Sequence, residues 1–128
     1  MYIVVLEIFH PVSSSTVITM AEQLFGLVIP GRPLVTTFQV LDSTKAVSLL
    51  DNPGTVNELT FFLLPSNSNI IPPGYGAILY YSIPPFQNWV LIGSVCNEKP
   101  SGIFRTSWST NEEVRLQPLV QIGVALEP

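Results

Sequence analysis

Leu34-Val35-Thr36-Thr37-Phe38-Gln39-Val40 is the stretch on which the fold reading turns. Side chains on a β-strand point to alternate faces with period two. Leu34, Thr36, Phe38 and Val40 therefore share one face, and Val35, Thr37 and Gln39 share the other, wetter one. Pro33 opens this run and Asp42-Ser43 closes it. The run is also rich in β-branched and aromatic residues, which suits a half-buried pleated surface.

Similar runs recur along the chain, each closed by turn residues. They are Glu22 to Ile29, Pro33 to Leu41, Lys45 to Leu50, Val56 to Leu64, Gly76 to Ile83, Trp89 to Cys96, Gly102 to Trp108 and Leu119 to Glu127. Pro30-Gly31, Asp51-Asn52-Pro53-Gly54, the polar Ser66-Asn67-Ser68-Asn69 and Pro72-Pro73-Gly74 supply the breaks between several of them. About eight antiparallel strands at this spacing predict an all-β protein, a jelly roll or β-sandwich. Phe61-Phe62-Leu63-Leu64 and Ala77-Ile78-Leu79-Tyr80-Tyr81 are apolar on both faces. A sandwich covers one face of each sheet, so part of this surface is expected to meet a partner. Residues 1–19 fit this pattern least and read as an extension or an additional strand, with the sandwich domain at 20–128. The β-branched Val17-Ile18-Thr19 argues against a helix there.

The chain has 128 residues, 47% of them hydrophobic and 11% charged, enough for one core and not for two. Its 12 Pro and 8 Gly are dispersed among the apolar runs, which argues against disorder. The five cations, Arg32, Lys45, Lys99, Arg105 and Arg115, are scattered in a chain of net charge -4. Nucleic-acid binding is not expected, because releasing counterions from phosphates needs clustered cations. No stretch reaches the roughly 18 uninterrupted apolar residues of a spanning helix. The single cysteine, Cys96, and the absence of an Asn-x-Ser/Thr sequon point to a reducing compartment. The expectation is a soluble, intracellular protein.

Catalysis finds little support in the same inventory. His10 is the sole histidine, so a multi-histidine metal site is excluded and a triad would hang on one residue near the chain start. There is no phosphate-binding or dinucleotide glycine motif and no Cys-x-x-Cys pair. Glu112-Glu113 sits among Ser109, Thr110 and Asn111 and reads as a solvated loop. No enzyme activity, metal or other cofactor is expected.

From Phe25 onward the residues carry an ordered set of matches: Phe25-Gly26 with Val28 and Gly31-Arg32; Leu59 to Leu64; Pro72-Pro73-Gly74-Tyr75-Gly76-Ala77-Ile78-Leu79-Tyr80-Tyr81-Ser82; Trp89-Val90-Leu91-Ile92-Gly93; Asn97 to Arg105; and Val120-Gln121-Ile122-Gly123-Val124. In this order they resemble the amino-terminal domain of the Hikeshi family, which carries the seventy-kilodalton heat-shock chaperone into the nucleus. The resemblance implies a protein shuttling between cytoplasm and nucleus, whose sandwich domain binds phenylalanine-glycine repeats of nucleoporins through hydrophobic pockets. It also implies a homodimer in the full-length form, since the family continues into a helical domain that supports dimerisation and chaperone binding. That helical domain is not among these residues. The family pattern has a long glycine-containing loop with a phenylalanine after the Ile-Phe-Lys/Arg strand; here Ser107 to Leu116 is short, lacks Phe and offers Trp108 instead.

Candidate nucleoporin-binding residues are Phe61, Leu63, Tyr75, Tyr80, Tyr81, Trp89, Phe104 and Trp108. Tyr75, Tyr80 and Tyr81 are expected to line a slot for a Phe ring, because aromatic walls give large apolar contact at low entropy cost. In the structural reading of the same segment, Gly74 and Gly76 permit positive φ at a tight turn before a buried strand. Trp89 reads as a core anchor ahead of a ligand platform. Asn97 to Ser101 reads as a β-turn with Pro100 fixing φ, Arg105 as an outward surface residue, and Cys96 as a small hydrophobe. The competing readings are a carbohydrate-binding sandwich using Trp108 with Asn111, and a hydrolase using His10.

Overall fold

The computed structural model describes residues 24–64 and 71–128. The readings that fall on the segment 1–19, on His10, on 17–23 and on the polar loop at 66–69 lie outside these residues. The described chain forms eight strands: β1 Phe25–Val28, β2 Gln39–Asp42, β3 Lys45–Asp51, β4 Glu58–Leu63, β5 Gly76–Ser82, β6 Val90–Val95, β7 Ser101–Arg105 and β8 Leu119–Glu127. Two short 3₁₀ turns, Pro53–Thr55 and Trp108–Thr110, sit in the connections. The strands make two antiparallel sheets, β1-β4-β7 and β2-β3-β8-β5-β6. The all-β reading holds, and every expected strand has its counterpart.

β8 is the central strand of the larger sheet, and apart from Gln121 and the terminal Glu127 it is apolar on both faces, as a strand covered on both sides requires. It pairs with β3 from Leu119 to Ala125 and with β5 from Gln121 to Glu127. Val120, Ile122, Val124 and Leu126 point inward, where Phe25, Leu27, Leu59 and Phe61 of the smaller sheet meet them. Phe25 packs against Phe61 with tilted rings whose centroids are 5.4 Å apart and meets Phe38 edge-on at 6.2 Å. Trp108 is 0% exposed and packs edge-on against Tyr81 at 5.0 Å. This interdigitated layer is the core expected of two sheets facing one another.

The stretch that announces the fold is itself interrupted. Val35 exchanges backbone hydrogen bonds with Leu27 of the smaller sheet, at 2.8 and 3.0 Å, whereas Gln39–Asp42 pair with β3 of the larger one. The segment thus crosses between sheets, and one alternating face cannot be kept across the crossing. Phe38 is buried, as the alternation requires, but Leu34 is 57% exposed. Arg32 fixes the crossing. Its guanidinium donates to the Asp51 carbonyl (2.7 Å), the Asp51 carboxylate (3.0 Å), the Asn52 carbonyl (2.9 Å) and Thr55 Oγ1 (2.9 Å).

Two turn readings are corrected. Cys96 and Lys99 exchange backbone hydrogen bonds, so the corner between β6 and β7 is Asn97-Glu98, and Pro100 instead accepts a bond from Leu63 N–H at 2.8 Å. Before β5, Tyr75 N–H donates to the Pro72 carbonyl at 3.0 Å, and Gly74 alone takes the positive φ, 82°. Gly76 is already in the ladder opposite Glu127.

Candidate functional site

The eight candidate residues do not converge on one pocket, and period two explains why. Phe61 and Trp108 are enclosed in the core, and Leu63, Tyr81 and Phe104 pack against it from its margin. Phe104 is wedged between the sheets by two glycines. A Cβ at Gly93 or Gly102 would meet its ring at 2.3 or 2.6 Å, so only glycine admits the ring there. Tyr75 lies 38% exposed at the turn before β5. Tyr80 and Tyr81 are consecutive on β5 and leave it on opposite faces. The expected three-tyrosine slot is therefore not formed. Burial raises the ionisation of the Tyr81 hydroxyl above its ordinary value. Trp108, being fully buried, also offers no platform to a sugar beside Asn111.

Tyr80 and Trp89 do come together. With Val47 and Ala125 they form a second apolar cluster, and Leu41 and Ile78 pack against it. Strand register places this cluster on the face of the larger sheet that points away from the core. Tyr80 lies across from Gly123 of β8, which in turn lies across from Val47 of β3, while Ala125 lies across from Ile78. Position by position these residues alternate with the core residues Ala46, Leu79, Val124 and Ile122. Trp89, just before β6, closes over the outer face, and Ser82 Oγ donates to the Asn88 carbonyl beside it.

The cluster has a polar end and an apolar rim. Tyr80 O–H donates to Glu127 Oε2 at 2.8 Å. Burial, and then the hydrogen bond and charge of Glu127, push this hydroxyl up to about 12. At another corner Asp42 accepts from Thr44 N–H (2.8 Å) and Lys45 Nζ (3.0 Å). Burial there raises the carboxyl, but these hydrogen bonds and the Lys45 charge outweigh it and hold the group below its ordinary value. On the rim, Leu91 stands directly across from Tyr80 and is 62% exposed, and Leu49 on β3 is 60% exposed. These exposed leucines continue an already apolar layer and are not isolated surface hydrophobes.

The sequence reading named Tyr80 and Trp89 but missed Leu41, Val47, Ile78, Leu49, Leu91 and Ala125. The signal was present in the doubly apolar Ala77–Tyr81 run and in the shared face of Val47 and Leu49. Apart from this cluster, a cleft of about 340 Å³ is lined by Ile29, Pro30, Thr55, Val56, Asn57 and Glu58. None of the candidate residues lines it. Among the described residues no three His, Cys, Asp or Glu side chains gather as metal ligands, and no helix is long and apolar enough to cross a membrane.

The fold and this surface define a two-sheet antiparallel sandwich with an apolar layer on the outside as well as in the core. A family model described as the Hikeshi-like N-terminal domain matches residues 28–128. Among curated proteins the chain is 34% identical over 112 residues to the OPI10 homolog of Schizosaccharomyces pombe, covering 82% of this chain and 53% of that protein. It is 33% identical over 118 residues to Protein Hikeshi of Danio rerio and 30% identical over 118 residues to Protein Hikeshi of Homo sapiens. Both of these matches cover 81% of this chain and 59% of the relative. The chain belongs to the Hikeshi-like family, and it spans little more than half the length of these relatives.

Proposed function

We propose that this chain is the nucleoporin-binding part of a nuclear import carrier for the seventy-kilodalton heat-shock chaperone, and that it takes phenylalanine-glycine motifs on the outer layer around Trp89 and Tyr80. It acts without catalysis or cofactor, moves between cytoplasm and nucleus, and reaches the chaperone through the longer, dimeric protein. The observation that supports this reading is the outer apolar layer itself, built on a domain that belongs to the Hikeshi-like family. A sandwich needs only its inner faces to be apolar in order to fold. The outer cluster, with Leu91 on its rim, is an arrangement suited to a ligand.

The chemistry needed is modest. Full burial of a Phe side chain is worth about 1.5–3 kcal/mol. Ordering a flexible repeat offsets part of that, which leaves each contact near millimolar. Weak single contacts suit transport, because many motifs and several carriers raise avidity without trapping the complex.

The test is a binding titration with a Phe-Gly repeat peptide and its Phe→Ser control, on the native chain and on Leu91→Glu. Saturable binding of the Phe peptide alone, near millimolar and abolished by Leu91→Glu, is the expected result. Equal binding of both peptides, or binding unaffected by Leu91→Glu, would refute the assignment. Leu116→Lys, altering a loop leucine that is 74% exposed, serves as the control that keeps the native affinity.

A further inference from the structure

β6 is an edge strand of a particular kind. It pairs with β5 on one side, and no described strand pairs with the other. Its sequence, Val90-Leu91-Ile92-Gly93-Ser94-Val95, holds no charged residue and no proline. Val90 is 46% and Leu91 62% exposed. Proteins ordinarily guard free edges with charges, prolines, bulges or covering loops.

The other edges are guarded in those ways. β1 is four residues long and is capped by the bonds between Leu27 and Val35. β2 is equally short, bulged, and ends in Asp42 ion-paired to Lys45 at 3.0 Å. β7 ends in the exposed Arg105. β6 has a register shift that leaves Ile92 without a partner opposite Leu79 and Tyr80, and at its Val95 end the tight Cys96–Lys99 turn brings β7 back beside it, with the Phe104 ring against Gly93. Ile92 turns toward the core. The bulge prevents a long partner strand from pairing along the whole of β6, yet it leaves the Val90-Leu91 end open to a short one.

That open end adjoins the outer apolar layer. Leu91 lies across from Tyr80, and Trp89 directly precedes Val90. A peptide laid beside Val90-Leu91 sets every second side chain on the outer face, next to Leu91 and at the margin of the Trp89–Tyr80 cluster. We infer that a phenylalanine-glycine segment binds by adding a short strand to the free edge of β6, its Phe ring on the outer layer and its backbone bonded to the Val90-Leu91 end. This rests on the nucleoporin reading and adds the mode of recognition. Main-chain bonds supply part of the affinity, and the side-chain contact supplies selectivity for Phe. Glycine beside the phenylalanine fits, because it places no side chain on the inner side, where Val90 lies across from Tyr81.

Strand addition leaves a signature that pocket burial alone does not. In an added strand, alternate residues turn their N–H toward the neighbouring edge. Two peptides, one N-methylated at the Phe nitrogen and one at the following Gly nitrogen, are titrated against the native chain beside the unmodified repeat. The expected result is asymmetric: one methylated peptide binds about tenfold more weakly and the other within about twofold of the parent. Two methylated peptides that both match the parent, or that both lose binding alike, overturn strand addition while leaving Phe recognition standing. Failure of the unmodified peptide to bind removes the nucleoporin reading itself, and strand addition with it.

Discussion

The two faces of β5 are built from the same kinds of residue and serve different ends. Ala77, Leu79 and Tyr81 face inward, where they help close a core shared by both sheets and completed by Trp108. Ile78 and Tyr80 face outward, into a smaller layer completed by Trp89. The inner layer is sealed by the opposing sheet. The outer layer is bounded by its own side chains, a tyrosine-carboxylate hydrogen bond and exposed leucines. An apolar residue in this chain is therefore not by itself a core residue, and the face it occupies decides its role.

That contrast breaks most severely at the tryptophans. Trp108→Ala removes a fully enclosed ring and should destabilise the fold by about 3–5 kcal/mol. Trp89→Ala should cost less, because Trp89, though only 8% exposed, packs in the smaller outer cluster rather than in the core shared by both sheets, and denaturant unfolding of the two variants measures the difference. Gly93→Ala comes next, at about 1–3 kcal/mol, since the added methyl collides with a Phe104 ring held between the sheets. Gly26→Ala offers the matching test on the outside of the smaller sheet. Its Cβ would come within 2.3 Å of the Phe62 ring, but that half-buried ring can turn toward solvent, so the loss should be smaller than at Gly93.

Tyr80→Phe tests the polar end of the outer layer and should cost about 1 kcal/mol, one hydrogen bond. The same group predicts a pH effect. Its folded value, about 12, lies above the ordinary 10.0. The neutral hydroxyl therefore favours the fold fully below pH 10, and that contribution is lost as pH rises from 10 toward 12. Absorbance titration should show Tyr80 and Tyr81 both ionising late, and Glu127→Gln should bring Tyr80 part of the way back, because burial remains the larger cause. The smallest effect is expected at Leu49→Ser, within about 0.5 kcal/mol, because that side chain is mostly in water.

Much of the architecture was legible in the chain, because strands and their breaks are local: apolar runs rich in β-branched and aromatic residues, separated by turn residues such as Pro30-Gly31, Asp42-Ser43 and Asn52-Pro53-Gly54, marked all eight. The site was only half legible. Tyr80 and Trp89 were named, but so were Phe61 and Trp108, since a ring destined for the core and one destined for the outer layer look alike in sequence. Which face Tyr80 and Tyr81 take depends on the register of β5 against β8, and which side of the larger sheet is covered depends on where β1, β4 and β7 pack. Both are non-local. The break in the run at Leu34 had the same origin, a change of sheet partner between Val35 and Gln39 that alternation alone does not reveal.

The chain holds two tryptophans, one in each layer, and this permits one direct measurement. With ¹⁵N-labelled indoles, the two ring N–H resonances are followed by NMR as a Phe-Gly repeat peptide is added. The account predicts that the Trp89 resonance shifts saturably while that of Trp108 stays in place. A Trp89 resonance that does not move at millimolar peptide, or equal shifts at both rings, would contradict the assignment of binding to the outer layer.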